Sequence, residues 1–444
     1  MFQTIPTPAP SPFSLIRLLP EIIRDPVGVS QKIRSRYGGL VRLGLGAQQG
    51  VYLVTEPRFV AHILQNNHRN YSKTSWLHDY AFPQLLGHGL LVAEGEAWRK
   101  QRRTMQPVFR PERVAPLAGI ITEAASALLR RWEVYEQSGT VIDMAAEMVE
   151  LARETNCRLL FGDDSLSGRI RHMRANYARF GPLILLSRGK WMKFGSFDMV
   201  RESLLLREDV AKIITGRQQS GERRDDLLDA LLHAPDRVTG ERMTAGQILD
   251  EMITLIFAGS ETTEKPLAWF WHLLDQNRHV EAELHSMVDG LGRQPEYADL
   301  AQLEPLAGMI QETLRIYPPA WILGRKALAD DFLEGHRIPK GARLILNVHA
   351  IQHSPEWWPD PEKFDPSRFA ASAESGRLRL SYLPFGAGPR NCLGSHLSMM
   401  EMQLIIAAIA QKFRLQGVAD QRVVASPQIS LAPKAGIRMT LERR

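Results

Sequence analysis

Phe385-Gly386-Ala387-Gly388-Pro389-Arg390-Asn391-Cys392-Leu393-Gly394 sets one cysteine in a loop punctuated by glycine and proline. The turn residues of 377–389 and the apolar, helix-periodic run 393–409 predict a strand, a tight loop and a helix start, in that order. A cysteine binds metal as its thiolate, and amide donors of a loop at a helix start lower the cost of that negative charge. Gly386, Gly388 and Gly394 permit backbone shapes and close approaches that a Cβ would block. The plain alternative for Cys392 is a buried free thiol beside a glycine-rich turn.

Three further motifs bear on the choice. Trp98 and Arg102 stand one turn apart within 95–109, so they share a helix face. Glu312 and Arg315 form Glu-x-x-Arg on the periodic stretch 306–316, which Pro318 and Pro319 end, and Arg368 follows in 361–369. Leu255, Ala258 and Thr262 recur at i, i+3 and i+7 with Gly259 beside them, and Glu261-Thr262 puts an acid before an alcohol on that helix. Taken singly, an i, i+3 ion pair or a helix with back-bonded threonines is ordinary core structure.

In this order the four motifs resemble the cytochrome P-450 superfamily, with Phe-Gly-x-Gly-x-Arg-x-Cys-x-Gly similar to its haem-binding signature. The resemblance implies a mainly α triangular-prism fold with a small β region, here residues 40–45, 51–54 and 342–348. It implies haem b (iron protoporphyrin IX) with Cys392 as axial ligand, Phe385, Gly394 and Ala258 around it, and the small residues Ala258 and Gly259 leaving room above the iron. Trp98, Arg102, Arg390 and Arg325 would meet the haem propionates, which need charge-assisted donors when withdrawn from water. Glu312, Arg315 and Arg368 would clamp the fold behind the cysteine loop. Glu261 and Thr262 would be catalytic, guiding protons to dioxygen at the haem.

The implied reaction is insertion of one atom of O2 into a C–H or C=C bond of an apolar substrate. Thiolate ligation favours O–O cleavage. No Walker loop, GxGxxG fingerprint or reductase segment is visible, so electrons are expected from a separate ferredoxin or flavodoxin with its NAD(P)H reductase. A peroxide-dependent peroxygenase and a non-catalytic haem carrier or sensor are the rivals, and the Glu261-Thr262 pair argues against both. The pocket segments expected for an apolar ligand are 76–91, Leu255 with Ala258, Ala320-Trp321-Ile322-Leu323, and the turn at Ile429. The string Tyr317-Pro318-Pro319-Ala320-Trp321 and the expected single-domain, unanchored form resemble bacterial members of the eukaryote-like branch, which points to a terpenoid or other secondary metabolite, with a fatty acid as the alternative.

Composition agrees. The 444 residues are 44% hydrophobic and 23% charged, near soluble averages, and no linker or repeat divides them, so one domain over 1–444 is expected, with 1–12 flexible. Two cysteines exclude a disulfide framework or a cysteine-rich metal site and suit a reducing cytoplasm. Cys157 sits on the apolar face of a predicted helix and reads as packing. The N-terminal apolar segment, with Leu15, Ile16, Leu18, Leu19, Ile22 and Ile23, is too short and too interrupted to be a transmembrane anchor, and packing is preferred to peripheral lipid contact. Net charge is only +6. The run Arg99-Lys100-Gln101-Arg102-Arg103 lacks the aromatic interleaving of a nucleic-acid site, so Arg99, Lys100 and Arg103 read as solvated charges, some facing an electron donor. A monomer is expected.

Three details are particular to this sequence. Pro266 lies in the central helix, where it removes the bond to the Thr262 carbonyl and predicts a bulge or kink there. Ser260 is small and is expected to widen the groove. His396, four residues past Cys392, is expected to point away from the metal-facing edge.

Overall fold

The computed structural model describes residues 5–44, 50–73, 82–174, 197–370, 378–427 and 429–444. The helices that matter to the site are α1 (Pro12–Arg24), α2 (Gly95–Met105), α3 (Ala118–Gln137), α4 (Met144–Phe161), α5 (Ala245–Gln276), α6 (Glu304–Ile316) and α7 (Ser395–Lys412). The fold is mainly helical with small sheets, as expected. Local chemistry fixes the helix ends. Thr244 Oγ1 accepts from the Gln247 amide at 3.3 Å while Gln247 accepts from the Thr244 amide at 2.9 Å, a capping box that starts α5. Asp143 caps α4, and Gly162, at φ 83°, ends it in a left-handed turn.

α5 runs through the interior with its indoles and rings, Trp269, Phe270 and Trp271, fully buried. It lies close along α4 because Gly259 leaves the space: a Cβ there would come within 2.5 Å of Asn156 Oδ1. Asn156 in turn donates to the Ile256 carbonyl at 3.1 Å. Gly259 therefore serves helix packing, not the open space beside Ala258 that its sequence neighbourhood suggested. Cys157 is fully buried on α4, and burial pushes its thiol up to about 12, so it stays a packing residue.

β1 (Leu40–Leu43), β2 (Val51–Val54), β3 (Tyr71–Lys73), β5 (Ile322–Ala327) and β8 (Arg343–Asn347) form a sheet ordered β1-β2-β8-β5-β3, in which only β2 and β8 run parallel. β4 (Ile142–Asp143) joins β12 (Arg438–Arg443) and β9 (Phe413–Gly417); β6 (Asp331–Leu333) pairs β7 (His336–Ile338), and β10 (Ala425–Pro427) pairs β11 (Leu431–Pro433). The three expected strands are present within two residues of their bounds, although position 45 lies outside the described residues. β5 was not foreseen, and it carries Arg325.

Some expectations need correcting. Among the described residues, no strand directly precedes the cysteine loop: residues 378–387 run as turns and irregular chain. Within the N-terminal stretch, the Ile5 amide donates to the Gly335 carbonyl at 2.9 Å and the Pro8 carbonyl accepts from the Arg42 amide at 2.8 Å. On α1, Leu15 is buried while Phe13 and Ile16 are exposed. α5 passes through Pro266 as an uninterrupted α-helix, so no bulge forms there. No helix of the described residues is long and apolar enough to cross a membrane.

Candidate haem-thiolate site

The cysteine loop takes its shape from two glycines. Gly386 and Gly388 have φ of 70° and 71°, and a Cβ on Gly388 would meet the Leu64 carbonyl oxygen at 1.8 Å. The backbone then turns through residues Gly388–Arg390, and the Cys392 amide donates to the Phe385 carbonyl at 2.8 Å. Gly394 is neither crowded nor at positive φ; the space where its Cβ would stand is open. Cys392 is exposed to a cleft yet walled by enough protein that desolvation raises its thiol pKa, while the Gly394 amide and Arg102 pull it down. Those two influences favour the thiolate that a metal requires. His396 lies 3.5 Å from the Tyr297 hydroxyl, engaged away from the loop.

Around this loop the structure gathers cations. The Arg390 guanidinium stacks 4.2 Å from the Trp98 ring, donates to the Ala93 carbonyl at 3.1 Å and pairs with Glu94. Arg102, from the same face of α2 as Trp98, donates to the Asn391 carbonyl at 2.9 Å and to its Oδ1 at 2.8 Å, which ties α2 to the residue before the cysteine. Arg325 is 8% exposed, and burial followed by repulsion from Arg390 lowers it to about 10. Across the strand pair sits Lys73, opposite Arg325, with Nζ on the Leu91 carbonyl at 2.9 Å. Burial, then Arg390 and Arg325, lowers Lys73 to about 7.

Lys73 escaped the sequence reading. It belongs to no local motif, and only the pairing of β3 with β5 brings it here. Three cations crowd about Glu94 and repel one another, an arrangement that an added dianion would relieve. The two propionates of haem have that charge. An open face beside Gly394, a thiol on it and a cationic edge together fit haem.

Behind the loop, Glu312, Arg315 and Arg368 come together. Arg315 makes two bonds to the Glu312 carboxylate at 2.7 and 2.9 Å, both side chains wholly buried. Arg368 Nε lies 3.3 Å from Glu312 Oε1, and its Nη2 reaches the Pro359 carbonyl at 2.6 Å. Arg315 also donates to the Gln352 carbonyl at 2.9 Å, so the cluster stitches α6 to the loops on either side. Among the basic residues of α2, Arg99 pairs with Glu96 and Lys100 with Glu241 at the surface. Arg103 is not a free surface charge: it holds the buried Asp236 through two bonds of 2.7 and 2.5 Å.

On α5, Ala258 and Thr262 are exposed although the helix around them is buried, and Leu255 on the same stripe is half-buried. A mid-core helix with one open stripe borders a cleft. Thr263 Oγ1 lies 3.4 Å from Ser398 Oγ on α7, so the stripe's helix packs on the helix that follows Cys392. The Thr262 hydroxyl donates to the Ala258 carbonyl at 2.7 Å, which leaves its oxygen as an acceptor. Ser260 is buried and bonded to the Ile256 carbonyl at 3.1 Å, so it does not widen the groove. Glu261 accepts from Ser430 at 2.7 Å, a contact the sequence reading missed. Of the expected pocket residues, Ile322 and Ile429 are exposed, and Ala320, Trp321 and Leu323 are half-buried. In the segment 76–91, positions 76–81 lie outside the described residues.

The comparisons agree with this geometry. The family model described as Cytochrome P450 matches residues 6–438. The chain is 35% identical over 393 residues to cyclooctat-9-en-7-ol 5-monooxygenase of Streptomyces melanosporofaciens, covering 86% of this chain and 83% of that protein. It is 29% identical over 430 residues to pentalenene oxygenase of Streptomyces avermitilis, covering 95% and 94%. Its fold superposes on the crystal structure of the cytochrome P450DA haem domain with a TM-score of 0.90 at 25% identity, over 100% of this chain and 98% of that one.

Proposed function

The chain belongs to the cytochrome P450 family and is a P450 monooxygenase with haem-thiolate cofactor, and on that premise we propose that it oxidises a terpenoid or a similar apolar secondary metabolite. The observation that carries this reading is the open stripe of Ala258 and Thr262 on α5, taken together with the exposed apolar side chains of the expected pocket residues Ile322 and Ile429. Such a surface binds hydrocarbon by burial and offers few polar groups to fix a charged substrate. Relatives named for oxidising cyclooctat-9-en-7-ol and pentalenene support the same class.

When bound, haem supplies the reduction and cleavage of dioxygen and the delivery of one oxygen atom. Cys392 would give the thiolate, and Lys73, Arg325 and Arg390 would hold the propionates, with Trp98 stacked against Arg390. Arg102 sets Asn391 and thereby the loop, and the Glu312-Arg315-Arg368 cluster holds the surrounding chain. Thr262, its hydrogen committed to Ala258, accepts a hydrogen bond from water at the open stripe. Glu261 holds or passes the proton that this water needs.

Electrons arrive from an acidic ferredoxin or flavodoxin. A cleft of about 300 Å³ beside Trp98 is lined by five arginines; Arg99 and Arg103 are paired with Glu96 and Asp236, and Arg102, Arg110 and Arg237 leave the seat basic and suited to an acidic partner. The cytoplasm is the compartment where such a donor and two free cysteines are at home.

A panel of terpenes, terpene alcohols and fatty acids, titrated for ligand-induced spectral shifts and then turned over with O2 and a reductase–ferredoxin pair, tests the proposal. Terpenoids are expected to give the strongest shifts and oxygenated products. Shifts and products confined to fatty acids would replace the substrate class.

A further inference from the structure

We propose that Ser430 is a positioning residue for Glu261: its hydroxyl orients the carboxylate of the acid-alcohol pair and ties it to the turn that presents Ile429 to substrate. The inference rests on the role given to Glu261 above. Ser430 is 4% exposed, and its Oγ donates to Glu261 Oε1 at 2.7 Å. Among the described residues, it is the one side chain that hydrogen-bonds Glu261. Arg174 is, among the described residues, a cation within electrostatic range of Glu261, and it is committed elsewhere, with its two Nη groups 2.7 and 2.6 Å from the Glu264 carboxylate, which also receives Lys265 at 2.7 Å. Glu261 is thus held by a neutral hydroxyl at one oxygen. A bidentate guanidinium would clamp both oxygens and fix the charge, whereas a single hydroxyl sets direction and leaves the other oxygen to water.

The turn that supplies this hydroxyl is anchored on both flanks of the cleft. Trp269 Nε1 donates to the Leu431 carbonyl at 3.1 Å, about two helical turns along α5 from Glu261. The Leu431 amide donates to the Pro319 carbonyl at 3.2 Å, immediately before the pocket segment Ala320 to Leu323. Ile429 adjoins this junction and yet is 53% exposed, so its side chain stands out from an otherwise buried knot. A bound apolar molecule that presses on Ile429 therefore acts, through one peptide unit, on the hydroxyl that aims Glu261. Substrate occupancy and proton supply share a mechanical link.

The test uses full-length, haem-loaded protein carrying Ser430→Ala, Ser430→Thr, Glu261→Gln, or Ser430→Ala with Glu261→Gln, and the terpenoid giving the largest spectral shift in the panel. Three readouts are taken: the spectral dissociation constant, product formed per NAD(P)H consumed, and the melting temperature without substrate. Ser430→Ala is expected to keep the dissociation constant within about twofold, since the lost bond is not to the ligand. Product per NAD(P)H falls several-fold and peroxide rises, Ser430→Thr restores both, and the double variant is no worse than Glu261→Gln alone. The two single melting shifts sum to more than the double shows, as for groups in direct contact. Additive melting shifts, or full coupling in Ser430→Ala while Glu261→Gln is uncoupled, overturn this inference alone. Full coupling in Glu261→Gln overturns the role of Glu261 itself.

Discussion

The two sides of the cleft are built on opposite principles. On the cysteine side, charge is dense: Glu312 with Arg315 and Arg368, Arg390 with Glu94, and the buried Arg325 opposite the half-buried Lys73. On the α5 side the open surface is aliphatic, and its polar groups are few and held by single bonds, Thr262 on Ala258 and Ser430 on Glu261. The first arrangement fixes a cofactor whose charge and shape never vary. The second leaves room for a ligand selected by shape, with protons supplied by groups that can still turn. A buried, multiply bonded ion cluster has one low-energy geometry, whereas a single hydrogen bond contributes about 1 kcal/mol between neutral groups and about 1.5–3 kcal/mol to a carboxylate.

Substitutions can break that contrast, the severest first. Cys392→Ser removes the thiolate, and the reduced, carbon monoxide-treated protein is expected to lose the strongly red-shifted Soret band together with all turnover. A retained red-shifted band would mean that another residue is the ligand. Next, Glu312→Gln strands Arg315 in a wholly buried site and is expected to cost about 3–5 kcal/mol, read by denaturant unfolding and by haem content after purification. Arg368→Ala should cost less, because Arg368 is partly exposed and leaves Glu312 still paired with Arg315.

Thr262→Ala carries the test to the other side. Cofactor content and melting temperature should stay near the parent values, while product per electron pair falls about tenfold in favour of peroxide, as expected when a proton-handling group is lost. A fall in haem content equal to that of Glu312→Gln would erase the division between the two sides.

The mildest effect concerns Glu401 on α7, whose carboxyl is buried, has Oε1 without a partner among the described residues, and is pushed by burial up to about 8. Because the folded form keeps this proton while the unfolded chain loses it near the ordinary carboxylate value, its contribution is fully present at acid pH. That contribution is lost as pH rises through the interval ending near 8. Glu401→Gln should flatten this slope and raise stability at pH 8 by about 1–2 kcal/mol without altering turnover. An unchanged pH slope in unfolding midpoints would show that Glu401 is not the group responsible.

Much of the cysteine side was legible because its residues sit in short motifs with local geometric causes. Glu312 and Arg315 are one helical turn apart, and the glycines around Cys392 answer to backbone shape. Where reading went astray, a local pattern had a non-local partner. Gly259 looked like room for a cofactor and proved to be room for Asn156 of α4. Arg103 looked solvated and proved to hold Asp236. The Pro266 bulge did not form, since α5 is packed against other elements along its length and runs on as an α-helix through the proline.

By itself the sequence determined the family and the one-turn pairing of Glu312 with Arg315, and its motifs carried the expectation of a thiolate at Cys392 and an acid-alcohol pair at Glu261-Thr262, because each motif is written in residues a few positions apart. Tertiary structure decided that Lys73 faces Arg325 and that Ser430 reaches Glu261 across 169 residues of chain. Strand pairing and turn docking bring such groups together through the packing of whole elements, and no local pattern of side chains encodes which distant residue will arrive.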